Sequence, residues 1–312
     1  MKVFGPILLG SLGFGTGLLI LVYDTDATES STLFSGSPQF LVWLFAISVL
    51  TAFFFIGSLP IFTRIYQLRE LMHNFLRGLS IYLVITVVMI ALIVVPIFVP
   101  RFVPVFVPDW ISQWHSFDYP LAHYVWKLRI ITLLGSFLVA GPAATGIWLV
   151  YEGVKANEKL ITSEERQRSL ADVEKYVEYG AHLNVFLLIL GLAVGMLMLT
   201  TGALRYALIA TAFANEENFP AALVLVYGAY FTLIVALVYI PTRVSLIEAG
   251  RKACDDLLPY VSPTNRLWAQ RITDRRHLEE LLQVGASAVQ SFQAGLAILA
   301  PLLSGLVPIL LA

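Results

Sequence analysis

Six stretches of about twenty consecutive apolar residues constrain this chain more than anything else in it: 4–23, 40–62, 79–99, 130–151, 182–204 and 221–241. Each matches the ~20 residues a helix needs to cross the hydrocarbon core of a bilayer. Backbone groups in hydrocarbon must be satisfied internally, and for isolated segments of this length that means α-helix. A seventh apolar stretch, 284–312, carries no charge and is interrupted by Gly295, Pro301, Gly305 and Pro308. It reads as a seventh span or a re-entrant segment. The expected fold class is an all-α polytopic membrane protein: six transmembrane helices plus the C-terminal apolar segment, with cytoplasmic helical extensions. A charged fraction of 13% agrees, since soluble domains carry about 25%.

Lysine and arginine placement sets the expected orientation, because loops on the cytoplasmic side are enriched in both. With the N-terminus cytoplasmic, the inner side holds Lys2, three basic residues in 63–78, five in 152–179 and seven in 242–283, or 16 of the 20. The outer side keeps Arg101, Lys127, Arg129 and Arg205, and the loop 24–39 holds Asp24, Asp26 and Glu29 without a basic residue. This places the protein in the plasma (inner) membrane as a multi-pass chain. The first segment lacks an A-x-A-like cleavage site and is read as a retained helix. The division that follows is 1–151 for helices one to four, 152–181 and 242–283 for cytoplasmic helical regions, 182–241 for helices five and six, and 284–312 for the tail.

Between spans three and four, Val95–Trp110 reads VPIF-VPRF-VPVF-VPDW. Proline every fourth residue removes a donor per turn and clashes with the preceding turn, so the repeat is expected to be extended. The two-residue period of an extended chain then gathers Pro96, Phe98, Pro100, Phe102, Pro104, Phe106, Pro108 and Trp110 on one face. That face is a candidate outer contact surface. Trp114, Tyr119, Tyr124 and Trp126 follow it and suit the headgroup level.

Several inner segments are expected to be helical. Ile61, Ile65, Leu68, Met72 and Phe75 fall at helical spacing, with Gly78 as the closing residue. Thr162-Ser-Glu-Glu165 has the form of a capping box, predicting one rod over about 163–204. Pro241 is expected to kink span six and separate it from a helix over 243–258 carrying Glu248–Lys252, Arg251–Asp255 and Lys252–Asp256 pairs. Another helix is expected over 264–283. Gly13 with Gly17 and Gly191 with Gly195 are small-xxx-small pairs, candidate helix contacts in lipid. Gln283, Ser287, Gln290 and Ser291 form a polar stripe, a candidate pore or packing surface.

Signs of catalysis are missing. All 41 charged residues fall at span ends or in loops, against the intramembrane charges of proton-coupled carriers and voltage sensors. No metalloprotease motif, phosphate-binding glycine loop or nucleophile elbow is present. His115, Asp118 and His123 share no helix face, so no metal or other cofactor is expected. A net charge of −1 gives no case for nucleic acid. Neutral polar residues remain: Ser58, Thr86, Ser136, Thr145, Asn184, Thr200, Thr201 and Thr232. They suit hydrogen bonds between helices or a weakly selective pore. The leading reading is a non-enzymatic oligomeric channel gated by its cytoplasmic helices. The alternatives are an accessory or scaffold subunit of a larger membrane complex and a carrier for an uncharged or lipid-like substrate. The bilayer and a homo-oligomeric or membrane-protein partner are the expected surroundings.

Overall fold

The computed structural model describes residues 4–22, 34–68, 75–98, 124–163, 169–214, 219–259 and 268–284. Among them the chain is helical throughout. α1 is Phe4–Val22, α2 Pro38–Leu68, α3 Phe75–Phe98, α4 Val125–Gly135 and α5 Gly141–Ser163. α6 is Leu170–Ala210, α7 Ala221–Leu257 and α8 Trp268–Leu281. A π-helical segment, Ser136–Ala140, joins α4 to α5, and the three together make one long rod. Five described helices are long and apolar enough to cross a membrane: α1, α2, the α4–α5 rod, α6 and α7. Apolar side chains such as Leu19, Phe45, Leu188 and Leu237 cover the outside of this bundle, each more than half exposed. The chain is therefore an integral membrane protein of several apolar helices.

One continuous core runs through the bundle. Its tightest seams are built on glycine. On α1, a Cβ at Gly13 would stand 2.7 Å from the Ala52 backbone and 3.0 Å from the Thr51 carbonyl oxygen. One at Gly17 would stand 3.0 Å from the Ser48 Cα. Gly10, Gly13 and Gly17 thus form the line on which α1 lies against α2, while Gly5 and Gly15 meet nothing. In the rod, the Phe54 ring occupies the space beside Gly135 and the Phe186 ring that beside Gly146. Of the pair on α6, Gly191 is buried, whereas Gly195 faces open space.

The π segment follows from Pro142. The Gly141 N–H reaches back five residues to the Ser136 carbonyl instead of four, and Pro142 has no N–H to offer. The Phe137 carbonyl is left without a backbone donor, and the Tyr82 hydroxyl of α3 supplies one at 3.2 Å. The same device appears on α3. Pro96 cannot donate to the Leu92 carbonyl, and the Tyr230 hydroxyl of α7 does so at 2.6 Å. Helix-breaking residues are tolerated in lipid where a neighbouring helix re-satisfies the freed group. Tyr230→Phe is expected to destabilise the protein by about 0.6–1.7 kcal/mol, the range for polar contacts between membrane helices. Reversible unfolding of the paired variants in bicelles checks this, with Tyr82→Phe giving a loss of similar size.

Several sequence expectations are corrected. The first unit of the repeat, Val95–Phe98, is helical and ends α3, because the Tyr230 hydroxyl replaces the missing donor. Pro100, Phe102, Pro104, Phe106, Pro108 and Trp110 lie outside the described residues. Gly78 sits in the first turn of α3 and closes nothing. Of the segment 61–77, residues 61–68 lie in α2 and 75–77 in α3, and 69–74 lie outside the described residues.

Thr162 and Ser163 end α5, whose last turn is held by the buried Ile161. The working capping box is Ser169 with Asp172: the Ser169 backbone N–H donates to Asp172 Oδ2 at 2.9 Å. The rod of α6 therefore spans 170–210 rather than 163–204. α7 passes through Pro241 as a single helix of 37 residues. Cross-helix contacts take up a member of each of the three expected pairs along it: Lys252 turns to Glu158 and Asp255 to Arg275.

Candidate functional site at the charged end of the bundle

The two ends of the bundle differ in chemistry. At one end five rings pack together: Phe34, Phe40, Trp43, Tyr124 and Phe213, with centroid separations from Phe34 of 5.3, 6.2, 6.4 and 6.3 Å. Ser37 starts α2 there by accepting the Phe40 N–H at 3.1 Å, a normal N-cap bond. Lys127, expected in a loop, lies in the first turns of α4 and is fully buried. Its ammonium donates to the Leu21 carbonyl at 3.0 Å and stands 5.4 Å from the Tyr124 ring centroid. A cation on the last carbonyls of α1 is favoured by the helix dipole. Arg205, also expected beyond a span end, is buried inside α6, with its Nε donating to the Phe219 carbonyl at 2.8 Å.

The other end carries most of the charges among the described residues and three polar contacts between helices. The first joins α5, α6 and α7. Tyr176 is buried on α6; Asn157 Nδ2 donates to its hydroxyl oxygen at 3.0 Å, and that hydroxyl donates to Glu158 Oε1 at 2.5 Å. Glu158 Oε2 then lies 3.7 Å from the Lys252 ammonium of α7. A buried phenol that both accepts and donates is fully satisfied, so this node is a structural joint.

The second joins α8 to the end of α7. Arg275 reaches Asp255 Oδ1 at 2.6 Å through Nη2 and Glu279 Oε1 at 2.9 Å through Nε, while Nη1 donates to the Leu258 carbonyl at 2.9 Å. The guanidinium thus combines two carboxylates with a carbonyl just past the C-terminus of α7, a geometry its planar fork suits. Close by, Arg243 donates to Gln283 through Oε1 at 3.4 Å and the carbonyl at 3.2 Å. Gln283 has φ 55°, and Val284 N–H bonds to the Glu279 carbonyl while Gln283 N–H bonds to that of Glu280. This is a Schellman end to α8, with Gln283 in the position that glycine usually fills. Gln283 therefore serves helix termination and packing at the charged end. Ser287, Gln290 and Ser291 of the same stripe lie outside the described residues, as do His115, Asp118 and His123.

The third contact holds α2 to α6. His182 is 1% exposed. Its Nδ1 lies 3.4 Å from Arg64 Nη1 of α2, and its Nε2 lies 3.4 Å from Glu178 Oε1 one turn back on α6. The second approach is too poorly aligned to be a hydrogen bond, so Nε2 has no such partner.

The neutral polar residues do something simpler than bridging helices. Ser58, Ser136, Thr145, Thr200, Thr201 and Thr232 each donate to a carbonyl of their own helix, three or four residues back. Thr86 differs: it is 1% exposed, faces Gly141, and its hydroxyl has no hydrogen-bond partner. Among the neutral side chains, bonds between helices fall instead to Tyr82, Tyr230 and the Asn157–Tyr176 pair, which the sequence reading passed over. For Tyr82 and Tyr230 the available signal was a tyrosine placed within an apolar stretch, whereas Tyr176 lies among charged residues.

Among the described residues no group of three His, Cys, Asp or Glu side chains could hold a metal ion. The fold and the charged end together define a helical integral membrane protein with a polar helical layer at one end. Comparison with protein-family models, curated proteins and solved structures gave no match.

Proposed function

We propose that this chain is a subunit of an oligomeric membrane channel whose opening is set by the helical layer at its charged end. In this reading that layer and the N-terminus lie on the cytoplasmic side of the plasma (inner) membrane, which the Lys and Arg distribution supports. The observation that carries the reading is continuity. α6 has 41 residues and α7 has 37, about twice the ~20 that a bilayer core requires. Neither breaks between the apolar bundle and the charged layer, so a tilt imposed on the layer becomes a tilt in the membrane.

The conduction path in this reading runs between copies. Within one chain Ile47, Leu50, Phe54, Ile147, Phe186 and Leu190 belong to one continuous buried core. The absence of a metalloprotease motif, phosphate-binding glycine loop and nucleophile elbow from the sequence is what supports reading the chain as a non-enzyme. Recording from the purified full-length oligomer in planar bilayers tests the proposal. Discrete conductance steps that change when the charged side alone is perturbed are expected. A stable oligomer that conducts under no voltage or bath condition on that side overturns it.

An accessory or scaffold role is favoured by one feature, the mixed charges of Arg271, Asp274, Arg276, His277 and Glu280, all exposed on α8. Such a surface suits a protein partner, and a stoichiometric second chain after extraction in mild detergent would support this role over a channel.

A further inference from the structure

We propose that His182 is a proton-controlled latch between α2 and α6. The argument starts from hydrogen positions. Arginine has donors only, so Arg64 Nη1 at 3.4 Å requires Nδ1 of His182 to be the acceptor. The ring hydrogen is then on Nε2, the atom that faces Glu178 Oε1 at 3.4 Å. A neutral imidazole is wedged between a cation and an anion, in a place with almost no solvent. Among the described residues Arg64 of α2 and Glu178 of α6 are the charged groups acting on the ring; α5 and α7, which also pack on α6, contribute none.

A proton can enter at one atom only. Protonation places a hydrogen on Nδ1, turning it from acceptor to donor against a guanidinium that is also a donor. The contact that ties α2 to α6 becomes a repulsion between like charges. On the other side the imidazolium gains attraction to Glu178, whose carboxylate is 60% exposed and already stands 3.4 Å from Nε2. Arg64 is only partly buried and already touches Gln67 Oε1 at 3.4 Å, so it has an alternative position in solvent. The protonated state therefore keeps His182 paired within α6 and frees the last turns of α2, from Ile61 to Leu68. No group other than the proton is needed.

The test measures the separation of the two helices in the full-length protein in nanodiscs. Spin labels go on Thr63→Cys and Lys175→Cys, both exposed positions, in a Cys254→Ala background. The distance distribution between them is expected to be narrow at about pH 8, and longer and broader at about pH 5, with a single-proton midpoint. His182→Gln presents an amide oxygen to Arg64 and an amide N–H to Glu178 without titrating, so it should keep the narrow distribution at both pH values. Glu178→Gln, at an exposed position, should fold normally and move the midpoint to lower pH by withdrawing the partner of the imidazolium. An unchanged wild-type distribution, a pH response that survives in His182→Gln, or an unmoved midpoint in Glu178→Gln each overturns the latch. The distances report on it even in protein that passes no ion, so the channel reading and the latch fail separately.

Discussion

Replacing Gly13 by alanine is expected to destabilise the protein by about 1–2 kcal/mol, although alanine is the better helix former. Two effects oppose each other. Gly→Ala inside a helix gains up to ~1 kcal/mol from backbone propensity. Here the new methyl would stand 2.7 Å from the Ala52 Cα and 3.0 Å from the Thr51 carbonyl oxygen. Both are backbone atoms of α2, so no rotamer change relieves the clash and the two helices must separate. Overpacking of this kind costs about 1–3 kcal/mol, and the cost exceeds the gain. Gly15→Ala is the control, because its Cβ meets nothing; it should be neutral or slightly stabilising. Thermal unfolding of both variants in the same detergent decides the matter. A Gly13→Ala protein as stable as Gly15→Ala would mean that α1 is not seated on α2 along this line.

Arg275→Ala is expected to release α8 while leaving the membrane bundle intact. The substitution removes the partner of Asp255 and Glu279 and the donor to the Leu258 carbonyl in one step. Asp255 is 60% and Glu279 30% exposed, so water compensates both carboxylates to a large extent. The loss should therefore fall well below the ~3–5 kcal/mol of a fully buried broken pair, at about 2 kcal/mol. α8 has only 14 residues, too few to hold as an isolated helix in water. Amide hydrogen exchange should accordingly accelerate across Trp268–Leu281 and stay unchanged across the apolar parts of α6 and α7. Protection retained in α8 would show that Leu278, Leu282 and the Arg243–Gln283 contact suffice to dock it.

The long apolar helices were legible because a bilayer imposes one length and one backbone solution on any segment that crosses it. Their ends were not. Pro241 read as a kink that separates span six from the helix after it, yet α7 passes through it as a single helix. Whether proline breaks a helix depends on what satisfies the orphaned carbonyl four residues earlier, and Tyr230 shows that the answer can sit 138 residues away. The charged end was legible as charge and not as geometry. Spacing along one helix suggests partners three or four residues apart, but Lys252 and Asp255 turn to other helices. His182 was visible only as a histidine at a span boundary. That it lies between Arg64 and Glu178 depends on the rotation of α2 against α6, which no local pattern encodes. Gly13 and Gly195 belong to the same kind of motif and differ in what lies opposite, a neighbouring backbone in one case and open space in the other.

The wide turn at Ser136–Ala140 amounts to an inserted residue. An α-helix advances about 100° per residue, so one extra position rotates everything on one side of the turn against everything on the other. On an unbroken helix Ile131 and Ala143, both buried, would point about 120° apart, and the inserted residue brings them to within about 20°. Lys127 and Ile131 on one side of the turn thereby share the buried side of the rod with Ala143, Ile147, Val150 and Val154 on the other. The α4–α5 rod is best regarded as two helices sharing an axis, whose inward faces the turn brings into line. Were the same residues wound as plain α-helix, no rotation of the rod could seat both faces at once.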